Sequence, residues 1–170
     1  MRVMRVLIVE DTPERQKVLT SLYREHAWVL VHTAARARCL LDAYEFDLVS
    51  LDYDLAGPER GDAVAAHLAR SRNAEATVIV HSQNAPGAKR IAAHLPRATY
   101  MPISRMTRSN SAFLRLRTAL RRGPAFDFAH ALRGPASPLG ETSAPDRESR
   151  RVSPAVDARS SEEGPNDPDR

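Results

Sequence analysis

The sequence holds one cysteine in 170 residues, Cys39, so no disulfide can close within the chain, and a reducing, cytoplasmic setting is expected. Long apolar runs are also missing. The longest early one, Val6-Leu7-Ile8-Val9, stops at Glu10. That is too short for a signal-peptide core and far from the roughly 20 residues that span a bilayer. Membrane, secreted and disulfide-scaffold readings therefore fall away. There is no internal repeat, and the Gly57/Gly61 stretch has no phosphate-loop pattern. One further shortage is local: no acidic residue lies between Ala76 and Phe126, where nine basic ones do: Lys89, Arg90, Arg97, Arg105, Arg108, Arg115, Arg117, Arg121 and Arg122. Such a field attracts phosphate-bearing partners, or else simply solvates helix faces.

What is present has an ordinary globular balance, 42% apolar and 27% charged, with a net charge of +4. The composition changes at Gly123-Pro124: seven of the 12 prolines and four of the seven glycines lie from there onward. Residues 1–122 are expected to form one domain. Residues 123–170 read as a Pro/Ser/Arg-rich disordered tail. Its small apolar patch (Phe126, Phe128, Ala131, Leu132) is able to dock back or form one helical turn.

Within residues 1–122, apolar runs and helical patterns alternate. Val3–Val9, apolar but for Arg5, reads as a strand buried on both faces. Thr12 or Asp11 then caps a helix that has Pro13 in its first turn and an apolar stripe of Val18, Leu19 and Leu22. Trp28–His32 is a second strand. The helix from Thr33 to Tyr44 faces inward through Ala37, Leu40 and Leu41. Leu48–Leu51 is a third strand, and a helix follows near Asp62–Arg70. Thr77–Val80 is a fourth strand, Gly87–Leu95 a helix, and Ala98–Met101 a short fifth strand. Ser109–Arg122 closes the pattern, with Phe113, Leu116 and Leu120 inward and Gly123 as its stop. Five strand–helix units predict an α/β fold, a five-stranded parallel doubly wound sheet of flavodoxin-like, receiver type in the order 2-1-3-4-5. Its functional crevice then lies beyond the carboxyl ends of strands one and three.

The residues directly after the strands carry the chemistry. Strand one ends in Glu10-Asp11, strand three in Asp52 with Asp54 two further on, and strand four in His81-Ser82-Gln83-Asn84. Four carboxylates at one rim raise one another's pKa unless a cation neutralises them. An all-oxygen set suits Mg²⁺ or Mn²⁺, the usual device for holding a phosphoryl oxygen. His81 is able to move a proton near neutral pH, and Ser82 and Asn84 to hydrogen-bond a phosphate. His26, His32, His67, His94 and His130 have no metal-ligand spacing and read as surface or packing residues. Cys39 lies mid-helix without a partner histidine.

The runs Val6-Leu7-Ile8-Val9-Glu10-Asp11 and Phe46-Asp47-Leu48-Val49-Ser50-Leu51-Asp52 resemble a response-regulator receiver domain over about residues 3–121. The resemblance implies Glu10 and Asp11 as the Mg²⁺ acids and Asp52 as the phosphoacceptor. It also implies a metal-ligating backbone carbonyl at Asp54, Ser82 as the switch hydroxyl, and a cis bond at Met101–Pro102. The lysine that ordinary receivers place before that proline is replaced by Met101. With Val80-His81-Ser82-Gln83-Asn84 and Ser50-Leu51-Asp52-Tyr53-Asp54-Leu55, the chain is similar to the variant group called cyclic-phosphate processing receiver domains. Those typically show Leu-Asp-His-Asp-Leu, and Tyr53 replaces the middle histidine.

The resemblance implies metal-dependent recognition or processing of a cyclic phosphate, on a nucleotide or an RNA end, with possible phosphodiesterase or phosphohydrolase chemistry. Glu10, Asp11, Asp52 and Asp54 serve the metal, and His81 and Asp52 the reaction. Ser82, Asn84, Lys89 and Arg90 serve the phosphate, the last two near a helix N-terminus. One alternative is receiver signalling through phosphorylation of Asp52 by a histidine kinase. Another is a non-catalytic phosphate-ligand or RNA-end binder that uses the arginine-rich half for affinity.

Overall fold

A computed structural model of the chain describes residues 2–124, all within the compact unit Met1–Ser137. The expected tail and its apolar patch lie outside the described residues from 125 onward. In chain order the elements are β1 (Arg5–Val9), α1 (Pro13–Leu22), β2 (Ala27–Val31), α2 (Ala34–Ala43), β3 (Leu48–Leu51), α3 (Gly61–Leu68), β4 (Thr77–Val80), α4 (Ala85–His94), β5 (Thr99–Tyr100), α5 (Ile103–Met106) and α6 (Asn110–Leu120). The strands form one sheet in the order β2-β1-β3-β4-β5, and every pairing is parallel. The predicted topology is the observed one. Among the described residues no helix is long and apolar enough to cross a membrane.

Strand side chains alternate between two cores. Leu7, Val9, Val49, Leu51, Val78 and Val80 pack under α2, α3 and α4 with Ala37, Leu41, Val64, Leu68 and Ile91. Val6, Ile8, Leu48 and Ile79 pack on the other face with Leu19, Leu22, Tyr23, Met106, Leu116 and Leu120. This two-sided burial explains why β1, β3 and β4 read as mainly apolar runs rather than alternating ones.

The differences from expectation lie at the edges. β1 starts at Arg5, whose N–H donates to Asp47 Oδ2 at 2.8 Å, and Val3 is exposed. β2, an edge strand, leaves Trp28 exposed. β5 pairs through only two residues, and α5, absent from the sequence pattern, follows it. The expected cis bond at Met101–Pro102 is not present: the described chain has no cis peptide. The Met101 N–H donates to the Val80 carbonyl and the Ile103 N–H to the His81 carbonyl. A trans Pro102, with φ −57°, caps α5 between those two bonds. The last described residue is also anchored, because Thr77 Oγ1 donates to the Pro124 carbonyl at 2.7 Å.

Candidate functional site

β1, β3 and β4 end in register, so the residue after each arrives at the same rim. Glu10, Asp52 and His81 are all fully buried there. Ligand-capable atoms of the three lie within 4.8 Å of one another, a grouping that could hold a metal ion. Backbone bonds fix the rim: the Glu10 N–H donates to the Val31 carbonyl, the Asp52 N–H to the Val9 carbonyl and the His81 N–H to the Leu51 carbonyl.

His81 is clamped through both ring nitrogens. Nδ1 lies 2.9 Å from Ser50 Oγ, and Nε2 lies 3.1 Å from Glu10 Oε2. Ser50 is a fully buried serine in an otherwise apolar strand. A partner of this kind on one nitrogen fixes which face of the imidazole the rim sees. The Thr12 N–H donates to Glu10 Oε1 at 2.8 Å. Burial works to raise the Glu10 carboxyl. The hydrogen bonds from His81 and Thr12, with the charges of His81 and Arg15, outweigh it and hold Glu10 below the ordinary range.

Asp52 is the opposite case. Burial pushes its carboxyl above the ordinary value and Glu10 adds to that, while Ser82, His81 and Arg15 work against it. Ser82 faces the carboxylate without a well-aligned bond, and neither Asp52 oxygen has a directed hydrogen-bond partner. A fully buried carboxylate is costly unless positive charge stands beside it, and two carboxylates with an imidazole nitrogen fit a divalent cation.

The other predicted residues surround this centre unevenly. Asp11 is part-buried and reaches the cluster through Arg15, 3.9 Å away. Asp54 turns outward, where its Oδ2 accepts from Asn84 Nδ2 at 3.0 Å. Asn84 also caps α4, its Oδ1 accepting from the Gly87 N–H at 2.9 Å. Ser82 is buried, and its Oγ accepts from the Asn84 N–H at 3.1 Å. Lys89 and Arg90 are exposed on α4, and Arg90 Nη1 donates to the Tyr53 hydroxyl at 3.3 Å. Tyr53 lies over Gly87, where an added Cβ would come within 2.2 Å of the ring. Met101, at the place of the ordinary lysine, is buried in the core beside Ile79 and Ile103.

The sequence reading did not find three participants. Arg15 sits on the first turn of α1, its Nη2 3.2 Å from Glu10 Oε1 and 3.1 Å from Asp52 Oδ2. Ser50 was visible as a polar residue interrupting an apolar strand. Gly61 was visible as a glycine opening a helix. Its hydrogen stands where a Cβ would meet the Asp52 carbonyl oxygen at 2.1 Å, so α3 presses directly on the backbone of the rim. Among the remaining histidines, His26 accepts from the Met4 N–H at 3.3 Å and His67 pairs with Asp42 at 2.7 Å. His32 and His94 are exposed, and His130 lies outside the described residues. Cys39 is exposed and free.

The sequence matches the family described as the cyclic-phosphate processing receiver domain over residues 5–97. No curated protein matches the chain. Solved structures with similar folds include the phosphorylated cyanobacterial phytochrome response regulator RcpA, at 17% identity and TM-score 0.57, covering 73% of this chain and 96% of that one. The Mn²⁺-bound response regulator Rcp1 aligns at 17% identity and TM-score 0.53, covering 69% and 91%. The receiver domain of a Pseudomonas aeruginosa sensor histidine kinase, with magnesium in its active-site cleft, aligns at 20% identity and TM-score 0.50, covering 59% and 85%.

Proposed function

Because the chain belongs to the cyclic-phosphate processing receiver domain family, we propose that the β1–β3–β4 rim recognises a cyclic phosphate, on a nucleotide or an RNA end, and opens it. The observation that carries this reading is Asp52, fully buried, without a directed hydrogen bond, and grouped with Glu10 and His81. Glu10 and Asp52, with Asp11 at the margin, would hold Mg²⁺ or Mn²⁺, and similar folds are known with either ion in place. Such an ion polarises a non-bridging phosphate oxygen.

The rest is the work of the chain itself. The Ser82 hydroxyl and the Asn84 amide at the mouth of α4 bind phosphate oxygens, and Lys89 and Arg90 add positive charge on the same helix. His81 Nε2 lies 3.1 Å from Glu10 Oε2, close enough for the pair to pass a proton, and Ser50 holds the ring in place. In hydrolysis, water adds to phosphorus and one ring P–O bond breaks. The departing oxygen takes a proton from the His81–Glu10 couple, and the proton from water restores it. The site is then unchanged.

The test is hydrolysis of 2′,3′-cyclic and 3′,5′-cyclic mononucleotides with added Mn²⁺ or Mg²⁺ by the wild type, Asp52→Asn and His81→Ala. Turnover lost in both variants supports the reading, and equal rates in all three overturn it. Ligand-dependent melting shifts without product assign the rim to binding alone. A second reading, phosphorylation of Asp52 by a histidine kinase, draws on the Ser82 hydroxyl beside that carboxylate. The buried Met101 weighs against it, since no amine from β5 reaches the rim. A phosphate adduct from acetyl phosphate, seen by intact mass and absent in Asp52→Asn, supports it.

A further inference from the structure

The acidic rim already contains a cation. Arg15 Nη2 lies 3.2 Å from Glu10 Oε1, 3.1 Å from Asp52 Oδ2 and 3.9 Å from Asp11 Oδ1, and it donates to Thr12 Oγ1 at 2.6 Å. One nitrogen thus gathers three carboxylates and a hydroxyl, the kind of oxygen set a hard divalent ion takes. An ion bound to the same Glu10 and Asp52 oxygens at about 2.1 Å would stand in contact with that nitrogen, and like charges at contact repel.

We infer that Arg15 is an internal counter-cation that must leave the rim for a divalent ion to enter, so that metal loading is an exchange of one cation for another. The inference rests on the divalent-ion reading of the rim. Two further observations make the exchange feasible. Arg15 offers Asp52 charge but no directed hydrogen bond, since neither Asp52 oxygen has such a partner, so it neutralises the carboxylate without locking it. Arg15 also keeps 21% of its side chain in solvent, while Glu10 and Asp52 keep none. The guanidinium therefore has a way out by side-chain rotation, and the acids do not have to move. Its place on the first turn of α1, with Asp11 just before the helix 3.9 Å away, returns it to the rim when the ion departs.

Mn²⁺ binding to the full chain, followed by the electron paramagnetic resonance signal of the free ion, tests this directly. Arg15→Gln is expected to bind Mn²⁺ about tenfold tighter than the wild type or more, because the competing charge is gone. Arg15→Lys, which keeps a charge, stays near the wild type. Without metal, Arg15→Gln melts below the wild type because three carboxylates have lost their counter-ion, and saturating Mn²⁺ raises its melting temperature more. Folding of Arg15→Gln only in the presence of Mn²⁺ is the same exchange in its extreme form. Equal or weaker Mn²⁺ binding by Arg15→Gln, with the wild type binding normally, overturns the role of Arg15 alone. If neither protein binds millimolar Mn²⁺, the exchange and the divalent-ion reading fall together.

Discussion

Replacing Asp52 by Asn should stabilise the metal-free protein at neutral pH. At an effective dielectric of about 20, Arg15 attracts the Asp52 carboxylate by about 5 kcal/mol at 3.1 Å. Under the same conditions Glu10, with a ligand oxygen within 4.8 Å, repels it by about 3.5 kcal/mol or more. The remainder, about 2 kcal/mol, together with what Ser82 and His81 add, has to meet a desolvation penalty of several kcal/mol for a fully buried ion. The balance is against the charge, in the same direction as the raised carboxyl. An uncharged amide of the same shape escapes that penalty and has Glu10 at hand as an acceptor. Asp52→Asn is therefore expected to gain about 1–2 kcal/mol at pH 7.

Urea unfolding with a chelator present measures this as a higher midpoint at an unchanged slope. The sign with pH follows from linkage. Because the folded-state carboxyl is raised, the native state binds more protons than the unfolded chain between the two values, and wild-type stability falls as pH rises through that window. The variant's advantage is absent below the ordinary aspartate value, grows across the window and levels off above it. Saturating Mn²⁺ reverses the order, since an ion at a hundred times its dissociation constant adds about 2.7 kcal/mol to the protein that binds it. A destabilised Asp52→Asn at pH 7 without metal, or an advantage that persists in acid, refutes the reasoning.

Three other perturbations probe the surroundings. Gly61→Ala would set a Cβ 2.1 Å from the Asp52 carbonyl oxygen. It should cost about 3 kcal/mol or more in urea unfolding and weaken Mn²⁺ binding, whereas a change under 0.5 kcal/mol would show that α3 does not press on the rim. Asn73 is buried, accepts from the Phe46 N–H and donates to the Leu41 and Tyr44 carbonyls. Asn73→Ala strands those groups, with an expected loss of about 3 kcal/mol and no change in Mn²⁺ affinity once folded. Glu10 is held below the ordinary glutamate value, so its contribution is complete above that value and lost as pH falls through the depressed one. Urea midpoints from about pH 6 to about pH 3 should therefore fall less steeply in Glu10→Gln, and parallel acid limbs would contradict the assignment.

The central strands were legible because burial on both faces leaves a mainly apolar signature, and β3 and β4 begin and end where Leu48–Leu51 and Thr77–Val80 predicted. The edges were less so. Val3 and Trp28 look like core residues but stand in solvent: Val3 precedes the first paired residue of β1, and Trp28 lies on the edge strand β2, which has only one neighbouring strand. The fifth strand is cut to Thr99–Tyr100 because Pro102 turns the chain into α5. At the site, Glu10, Asp52 and His81 could be found because a polar residue that ends a buried strand has few structural reasons to be there. Arg15 could not, because an arginine on the first turn of a helix looks the same in sequence whether it points to water or into a cluster of acids. Two residues past the buried Asp52 the chain has left the sheet, and the Asp54 carboxylate faces Asn84.

The missing lysine and the overlooked arginine belong to one rearrangement. Met101 fills the place of the lysine as core, packed with Ile79, Ile103 and Met106, and the positive charge comes from α1 on the other side of the acids. A guanidinium lodged between Glu10 and Asp52 stands in the cation place itself. On the exchange inferred above, the charge state of the rim is then tied to metal loading through Arg15 rather than through β5, where Met101 is core. Asp52→Asn and Arg15→Gln, combined, test this pairing. If the arginine is the counter-ion of Asp52, removing both charges costs less than the sum of the two single changes. Strict additivity would mean that the two side chains are neighbours without being partners.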